Sequence, residues 1–244
     1  MSSDVQVYIQ ALALGLDPAW RRRSPEERHD DGCRFAEAEA EAQLENVRSI
    51  AYSSVGLEPG VDLLFWRMAP SVDALERAAA SLLRAGLGSW LTVRHSLIGR
   101  IGPSQYVRKP TDQEQSLFDG ERSRYLVVYP FTKSTDWYLL SKEARQGVMN
   151  EHMRVGHDYP TIRQALAYSF GLDSQEFVVA YETDDLPAFS ALVRELRSTE
   201  GRRSTVRDTP ILTAVHRPIG EILDLLGVAE EPVERPAPKV AVRA

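Results

Sequence analysis

RYLVVYPF (124–131), SKEARQGVMNEHMR (141–154), TIRQALAYSFGL (161–172), QEFVVAYE (175–182) and TPILTAVH (209–216) decide the fold. The first and the last three are rich in β-branched and aromatic residues and are bounded by turn chemistry, so they read as strands. Asp173 and Ser174 supply the short turn between the middle pair. Ser141 is a good N-cap, and Glu143 falls in the first turn of the helix it opens. A second helix over 185–199 places Leu186, Phe189, Val193 and Leu196 on one face. The order β-α-β-β-α-β is the split βαβ, ferredoxin-like motif.

Working outward, the preceding residues look like a worn copy of the same unit. SIAYSSVGL (49–57) and VDLLFWRMA (61–69) are strand-like and separated by the turn signal Glu58-Pro59-Gly60. Pro70 and Ser71 open a helix with Leu75, Ala79, Leu82 and Leu83 on one face, and SWLTVRHSLIG (89–99) follows as a strand. The expected class is therefore α+β, with two fused ferredoxin-like units forming a dimeric α+β barrel and helices outside one antiparallel sheet. The expected layout is a polar arm over 1–48, one unit over 49–110, a second over 111–225, and a disordered tail over 226–244. FAEAEAEAQLENVR (35–48) has high helix propensity and a thin apolar stripe, so it reads as a surface helix or arm. Residues 102–120 form a long polar loop, a kind more often functional than idle.

Composition excludes several chemistries. One cysteine in 244 residues, Cys33, leaves no disulfide scaffold, cysteine zinc site or iron–sulfur cluster. A net charge of −6 makes a phosphate-tracking nucleic-acid binder a poor reading. The N-terminus lacks a basic leader, and the longest apolar run (125–131) is far below the roughly 18 residues a membrane span needs. A cytoplasmic protein is the expectation. There is no phosphate-binding loop, dinucleotide fingerprint, nucleophile elbow or H-E-x-x-H.

Any chemistry must then come from isolated residues that the fold assembles. His29, His95 and His216 read as solvated or hydrogen-bonded. His152 and His157 flank a helix C-terminus, whose partial negative charge suits an imidazole. YPFTKSTDWY (129–138) crowds Tyr129, Lys133, Trp137 and Tyr138 at a strand end. Such a set serves either as an amphipathic rim or as an electron relay beside a redox metal.

Taken in order, Y-P-F-T-K-S-T-D-W-Y (129–138), N-E-H (150–152), Y-P-T-I-R-Q (159–164), S-F-G-L-D (169–173) and L-V-R-E-L-R-S-T-E (192–200) resemble the chlorite dismutase-like family, closest to its coproheme decarboxylase branch. The resemblance runs from about residue 49 to 225 and implies a haem-binding C-terminal unit in a homopentamer. It implies that His152 ligates the iron, that Glu200 supports that histidine, and that Tyr129 is the radical-forming tyrosine. Lys133 is implied near a propionate, with Trp137 in the same pocket. On the distal side the family carries either an arginine, which suits chlorite dismutation, or a glutamine or small residue, which suits decarboxylation. Gln164 aligns with that position and Arg163 is its neighbour; in a strand only one of them can face the iron. A distal histidine used by some members has no counterpart in TDQEQ (111–115).

The activity so implied is oxidative decarboxylation of iron coproporphyrin III, which is both substrate and cofactor, by hydrogen peroxide. A radical on Tyr129 would act at a propionate β-carbon, carbon dioxide would leave, and two such rounds would give haem b. The alternatives are a chlorite dismutase or peroxidase-like haem enzyme, and a haem-binding or trafficking protein without efficient catalysis.

Overall fold

A computed structural model describes residues 6–104, 106 and 120–228. Its elements are β1 (Tyr8–Leu16), α1 (Pro25–Leu44), β2 (Arg48–Glu58), β3 (Val61–Ala69), α2 (Val72–Arg84) and β4 (Leu91–Arg100). They continue as β5 (Tyr125–Lys133), α3 (Thr135–Leu139), α4 (Lys142–His157), β6 (Arg163–Tyr168), β7 (Phe177–Thr183), α5 (Leu186–Leu196), β8 (Thr205–Arg207), β9 (Leu212–His216) and α6 (Ile219–Leu226). The order β-α-β-β-α-β thus occurs twice. In the first repeat the strands lie β4-β1-β3-β2, and in the second β6-β7-β5-β9. β2 pairs with β9 and β4 with β6, so eight antiparallel strands close into a barrel. This is an α+β architecture with helices outside an antiparallel sheet, and the sheet closes on itself.

The expected polar arm over 1–48 is corrected by two packed elements. β1 lies between β3 and β4, and every residue from Ile9 to Leu16 is buried. Ile9, Ala11 and Ala13 join the barrel interior, while Leu12, Leu14 and Leu16 join the layer under the helices. A strand buried on both faces loses its polar alternation and reads as a plain apolar run. α1 opens with a complete capping box, Ser24 and Glu27 bonding each other's backbone N–H. It buries Phe35, Ala38 and Ala42, small and aromatic contacts that leave a weak helical stripe. The expected tail over 226–244 begins too early. Leu226 is buried, Gly227 caps α6 at φ +100°, and Val228 packs beside it. The rest of that segment, from 229 on, lies outside the described residues, as do residues 105 and 107–119 of the long loop.

Two joints hold the repeats together. At the β4–β6 seam, Ser169 Oγ donates to Ile98 O at 2.6 Å and Ile98 N–H donates to Asp173 Oδ2 at 3.1 Å. Gly99 makes that approach possible, since a Cβ there would stand 2.8 Å from the Ala167 Cβ. At the β2–β9 seam the backbone register covers only Tyr52↔His216 and Ser53↔Val215. Side chains reinforce it inside the barrel. Tyr52 Oη donates to Glu182 at 2.6 Å, while Arg163 and Arg122 approach the same carboxylate at 2.8 and 3.4 Å. Glu182 is fully buried, and burial pushes its pKa up against the pull of these three partners. Outside the barrel, α6 of the second repeat sends Ile222, Leu223 and Leu226 into the cluster of Leu12, Trp20 and Phe35 from the first.

Ile222→Ala removes a fully buried side chain from that cluster and is expected to cost about 2–5 kcal/mol in urea unfolding. Glu182→Gln leaves two arginines facing a neutral amide and is expected to cost about 3–5 kcal/mol in the same measurement.

Candidate functional site

Strand parity sets the site. Leu126 and Val128 of β5 belong to the barrel interior, so Tyr129, Phe131 and Lys133 lie on the opposite, helix-covered face. Ala165 and Ala167 of β6 and Val178 and Ala180 of β7 are interior as well, which puts Gln164, Val179 and Tyr181 on the same outer face as Tyr129. The register agrees, with Gln164 opposite Tyr181 and Arg163 opposite Glu182. Arg163 therefore points into the barrel, where it also donates to Ser123 Oγ at 3.0 Å. Of the two neighbours, only Gln164 shares the face of Tyr129.

α4 and α5 cover this face. Val155 of α4 and Leu192 of α5 pack with Ile162 and Tyr181, against which Tyr129, Tyr159, Val179 and Phe189 lie. The rings of Tyr129 and Tyr181 stack at 6.2 Å. Burial, followed by the neighbouring Tyr181, pushes the Tyr129 phenol well above its ordinary pKa, so it keeps its proton at neutral pH. Phe189 closes over Tyr181 at 5.2 Å.

Beside this aromatic wall, Lys133 Nζ donates to Gly201 O at 2.9 Å and stands 4.5 Å from the centre of the Trp137 ring. Trp137 is itself buried in the short α3. Burial, with the charge of Arg202 added, lowers the Lys133 pKa to about 8. His152 is on α4, and burial together with the Lys133 charge lowers its pKa to about 4. Its imidazole is neutral at pH 7, the form that ligates a metal. His152, Lys133 and Trp137 are thus brought together, and Tyr129 and Gln164 share the sheet face that α4 covers.

Glu200 lies on the turn that follows α5. Its carboxylate pairs with Arg203 at 3.4 Å on the exposed side of a 3-10 turn (Glu200–Ser204), and its backbone N–H donates to Glu151 at 3.0 Å. The nearby charge acting on His152 is that of Lys133. TDQEQ (111–115) lies outside the described residues. Two groups were not anticipated from sequence. Tyr181 is one; the other is Glu176, whose carboxylate accepts from Tyr138 Oη at 2.5 Å and from Lys133 N–H at 2.7 Å. The signal for Tyr181 was parity within QEFVVAYE, where alternate residues belong to opposite faces; Glu176 precedes β7 and carries no such signal.

Among the described residues no group of three or more His, Cys, Asp or Glu side chains could hold a bare metal ion. The donor set suits an iron already held by a macrocycle. One neutral imidazole would hold such an iron, the wall is aromatic, and an ammonium stands where it would meet a carboxylate. The sequence model of the chlorite dismutase family matches residues 28–217. The chain belongs to that family. A chlorite dismutase family relative, coproheme decarboxylase of Mycolicibacterium smegmatis, is 30% identical over 171 residues, which cover 66% of this chain and 70% of the relative. A mutant chlorite dismutase from Candidatus Nitrospira defluvii superposes with a TM-score of 0.82 at 27% identity, over 90% of this chain and 94% of that one. The putative chlorite dismutase TA0507 gives 0.80 at 26% identity, over 91% and 99%.

Within the chlorite dismutase family frame, the parity of residues 163 and 164 separates a structural role from a site role. Arg163→Leu is expected to destabilise the apoprotein by about 2 kcal/mol through the loss of a charged hydrogen bond to Glu182. Gln164→Leu is expected to stay within about 0.5 kcal/mol, both read by urea unfolding.

Proposed function

We propose that this protein is a haem-dependent oxidative decarboxylase acting on iron coproporphyrin III with hydrogen peroxide. The observation that carries the reading is the parity of β6: Gln164 shares the outer face with Tyr129, while Arg163 is tied to Glu182 inside the barrel. A chlorite dismutase-like reaction draws on an arginine beside the iron to hold an oxychlorine anion, and Arg163 is committed elsewhere. The coproheme decarboxylase relative supports the same reading. The solved chlorite dismutases support the second one, a chlorite dismutase or peroxidase-like enzyme.

Bound at this face, iron coproporphyrin supplies a centre that peroxide can oxidise and two propionates that can lose carbon dioxide. His152 would hold the iron through a neutral ring nitrogen. Lys133 is protonated at neutral pH and holds a propionate carboxylate as a compact charge. Tyr129 retains its Oη proton in the resting protein and gives up an electron and that proton on oxidation. It then recovers a hydrogen atom from the propionate β-carbon. Hydrogen peroxide, a two-electron oxidant, would take up the second electron as well, and loss of carbon dioxide would leave the vinyl group. Trp137 and the aromatic wall exclude water from this exchange. Each βαββαβ repeat is read as a ferredoxin-like unit, the second holding the haem, in a cytoplasmic homopentamer; identical strand order in the repeats supports the first point and the family resemblance the others.

The test is to load the apoprotein with coproheme, add peroxide, and follow the porphyrin by mass. Stepwise loss of two carboxyl groups is expected, abolished in Tyr129→Phe. His152→Ala is expected to lose the axial-imidazole spectrum of the loaded protein. Unchanged coproheme overturns the reading, and oxygen released from chlorite favours the second one.

A further inference from the structure

Tyr52 donates to Glu182 inside the barrel, and Tyr159 donates to Glu195 of α5. Another pair of this kind, Tyr138 with Glu176, lies at the edge of the haem face and has no part in the decarboxylation. Tyr138 follows Trp137 directly in the short α3; Trp137 is buried, while Tyr138 is 36% exposed. Its Oη donates to Glu176 Oε2 at 2.5 Å, and the same oxygen accepts the Lys133 N–H at 2.7 Å. The Glu176 N–H donates in turn to Phe131 O at 3.2 Å, so Glu176 is tied to β5 through its backbone as well.

Rings connect this pair to the face that carries Tyr129. Tyr138 meets Phe170 edge-on at 6.0 Å, Phe170 meets Phe177 at 5.1 Å, and Phe177 meets Phe131 at 6.2 Å. Phe131 is two residues from Tyr129 on the same side of β5. On the other flank, Lys133 Nζ stands over both Phe131 and Trp137. A phenol that loses an electron becomes a strong acid, so it is oxidised most readily where a base can take its proton in the same step. The 2.5 Å bond from Tyr138 to a carboxylate is of the short, charge-assisted kind that permits this. Burial, followed by the bond to Glu176, raises the Tyr138 pKa, so the proton stays on Oη until an electron leaves. Tyr129, by contrast, stacks on another phenol, that of Tyr181.

We propose that Tyr138 and Glu176 form a second oxidation site, at which the protein oxidises small phenols with hydrogen peroxide in one-electron steps. The inference rests on the haem and peroxide part of the function proposed above and not on decarboxylation. Tyr138 gives one electron to the centre that peroxide oxidises and its Oη proton to Glu176. A phenol in solution then returns the electron, and Glu176 returns the proton to Tyr138 Oη. The proton shed by the phenol is taken up as peroxide is reduced to water. Two rounds consume one hydrogen peroxide and two phenols, and yield two waters and two phenoxyl radicals.

The test loads the Tyr129→Phe variant with coproheme, so that decarboxylation does not compete, and adds peroxide with either a nitroso spin trap or guaiacol. Peptide mass mapping is expected to place the trap adduct on Tyr138. Adding Glu176→Gln is expected to cut that adduct by about tenfold or more, while Tyr8→Phe, in β1 of the first repeat, leaves it unchanged. Guaiacol oxidation is expected to fall by about tenfold or more with either Tyr138→Phe or Glu176→Gln. A second arm needs no haem: the wild-type and Glu176→Gln apoproteins are oxidised by photogenerated tris(bipyridine)ruthenium(III), and modification of Tyr138 is expected to drop in the variant by a similar factor. A loaded protein inert to peroxide overturns the haem reading and the phenol oxidation together. A loaded protein that reacts but carries no adduct on Tyr138, or keeps its guaiacol rate in both variants, overturns the second site alone, as does equal modification of Tyr138 in the two apoproteins.

Discussion

A single carboxylate, buried in the barrel and shared by Tyr52, Arg122 and Arg163, governs how the two repeats meet. Glu182 belongs to the second repeat and Tyr52 to the first, so their 2.6 Å hydrogen bond links the repeats near a joint whose backbone register covers only two pairs. A charge taken out of water is tolerated only when its partners satisfy it, and here two guanidinium groups and a phenol do so. The same interaction fixes the facing of β6. Because Arg163 must reach Glu182, its neighbour Gln164 must lie on the other side of the sheet.

The barrel keeps structure and chemistry on opposite faces. Its interior is filled by Ile9, Ala11, Leu64, Trp66, Leu126, Val128 and their neighbours, which leaves the chemistry to the outer surface. There the second repeat spaces its helices over an aromatic wall, whereas the first repeat packs α1 and α2 onto a closed apolar layer, joined by α6 from the second. Two repeats with one strand order thus do different work because their helices cover different side chains. Lys133 shows the cost of this arrangement: an ammonium placed among Phe131, Trp137 and His152 gives up part of its basicity to be there.

Much of this was legible in the sequence where one face of an element meets water. The β-α-β-β-α-β order of the second repeat could be read from alternation and caps, and SKEARQGVMNEHMR marks α4 through Ser141, whose hydroxyl accepts from Ala144 N–H. β1 was not legible as a strand because both its faces are buried, and α1 hid its buried side behind alanines and one phenylalanine. α6 was missed because eight residues are too few to show a period, although Gly227 marks its end. In the site, residue types bring out Tyr129, Lys133 and Trp137, while the family resemblance brings out His152. The choice between residues 163 and 164 needed a register, which follows from contacts across the sheet. Glu200 lies in a turn after α5, where its carboxylate meets Arg203 at the surface.

Closure of the sheet also has a meaning for either repeat taken alone. Within the barrel β2 and β4 are the outer strands of the first repeat, and β9 and β6 cover them. Separated, that repeat would present two rows of unsatisfied backbone groups, an arrangement that invites pairing with any similar edge. A second copy of the same repeat offers edges of the same strand order, so the fold carries within one chain the geometry of a two-chain assembly. The linker joining the repeats then serves as a tether, holding at high local concentration two partners whose edges already match.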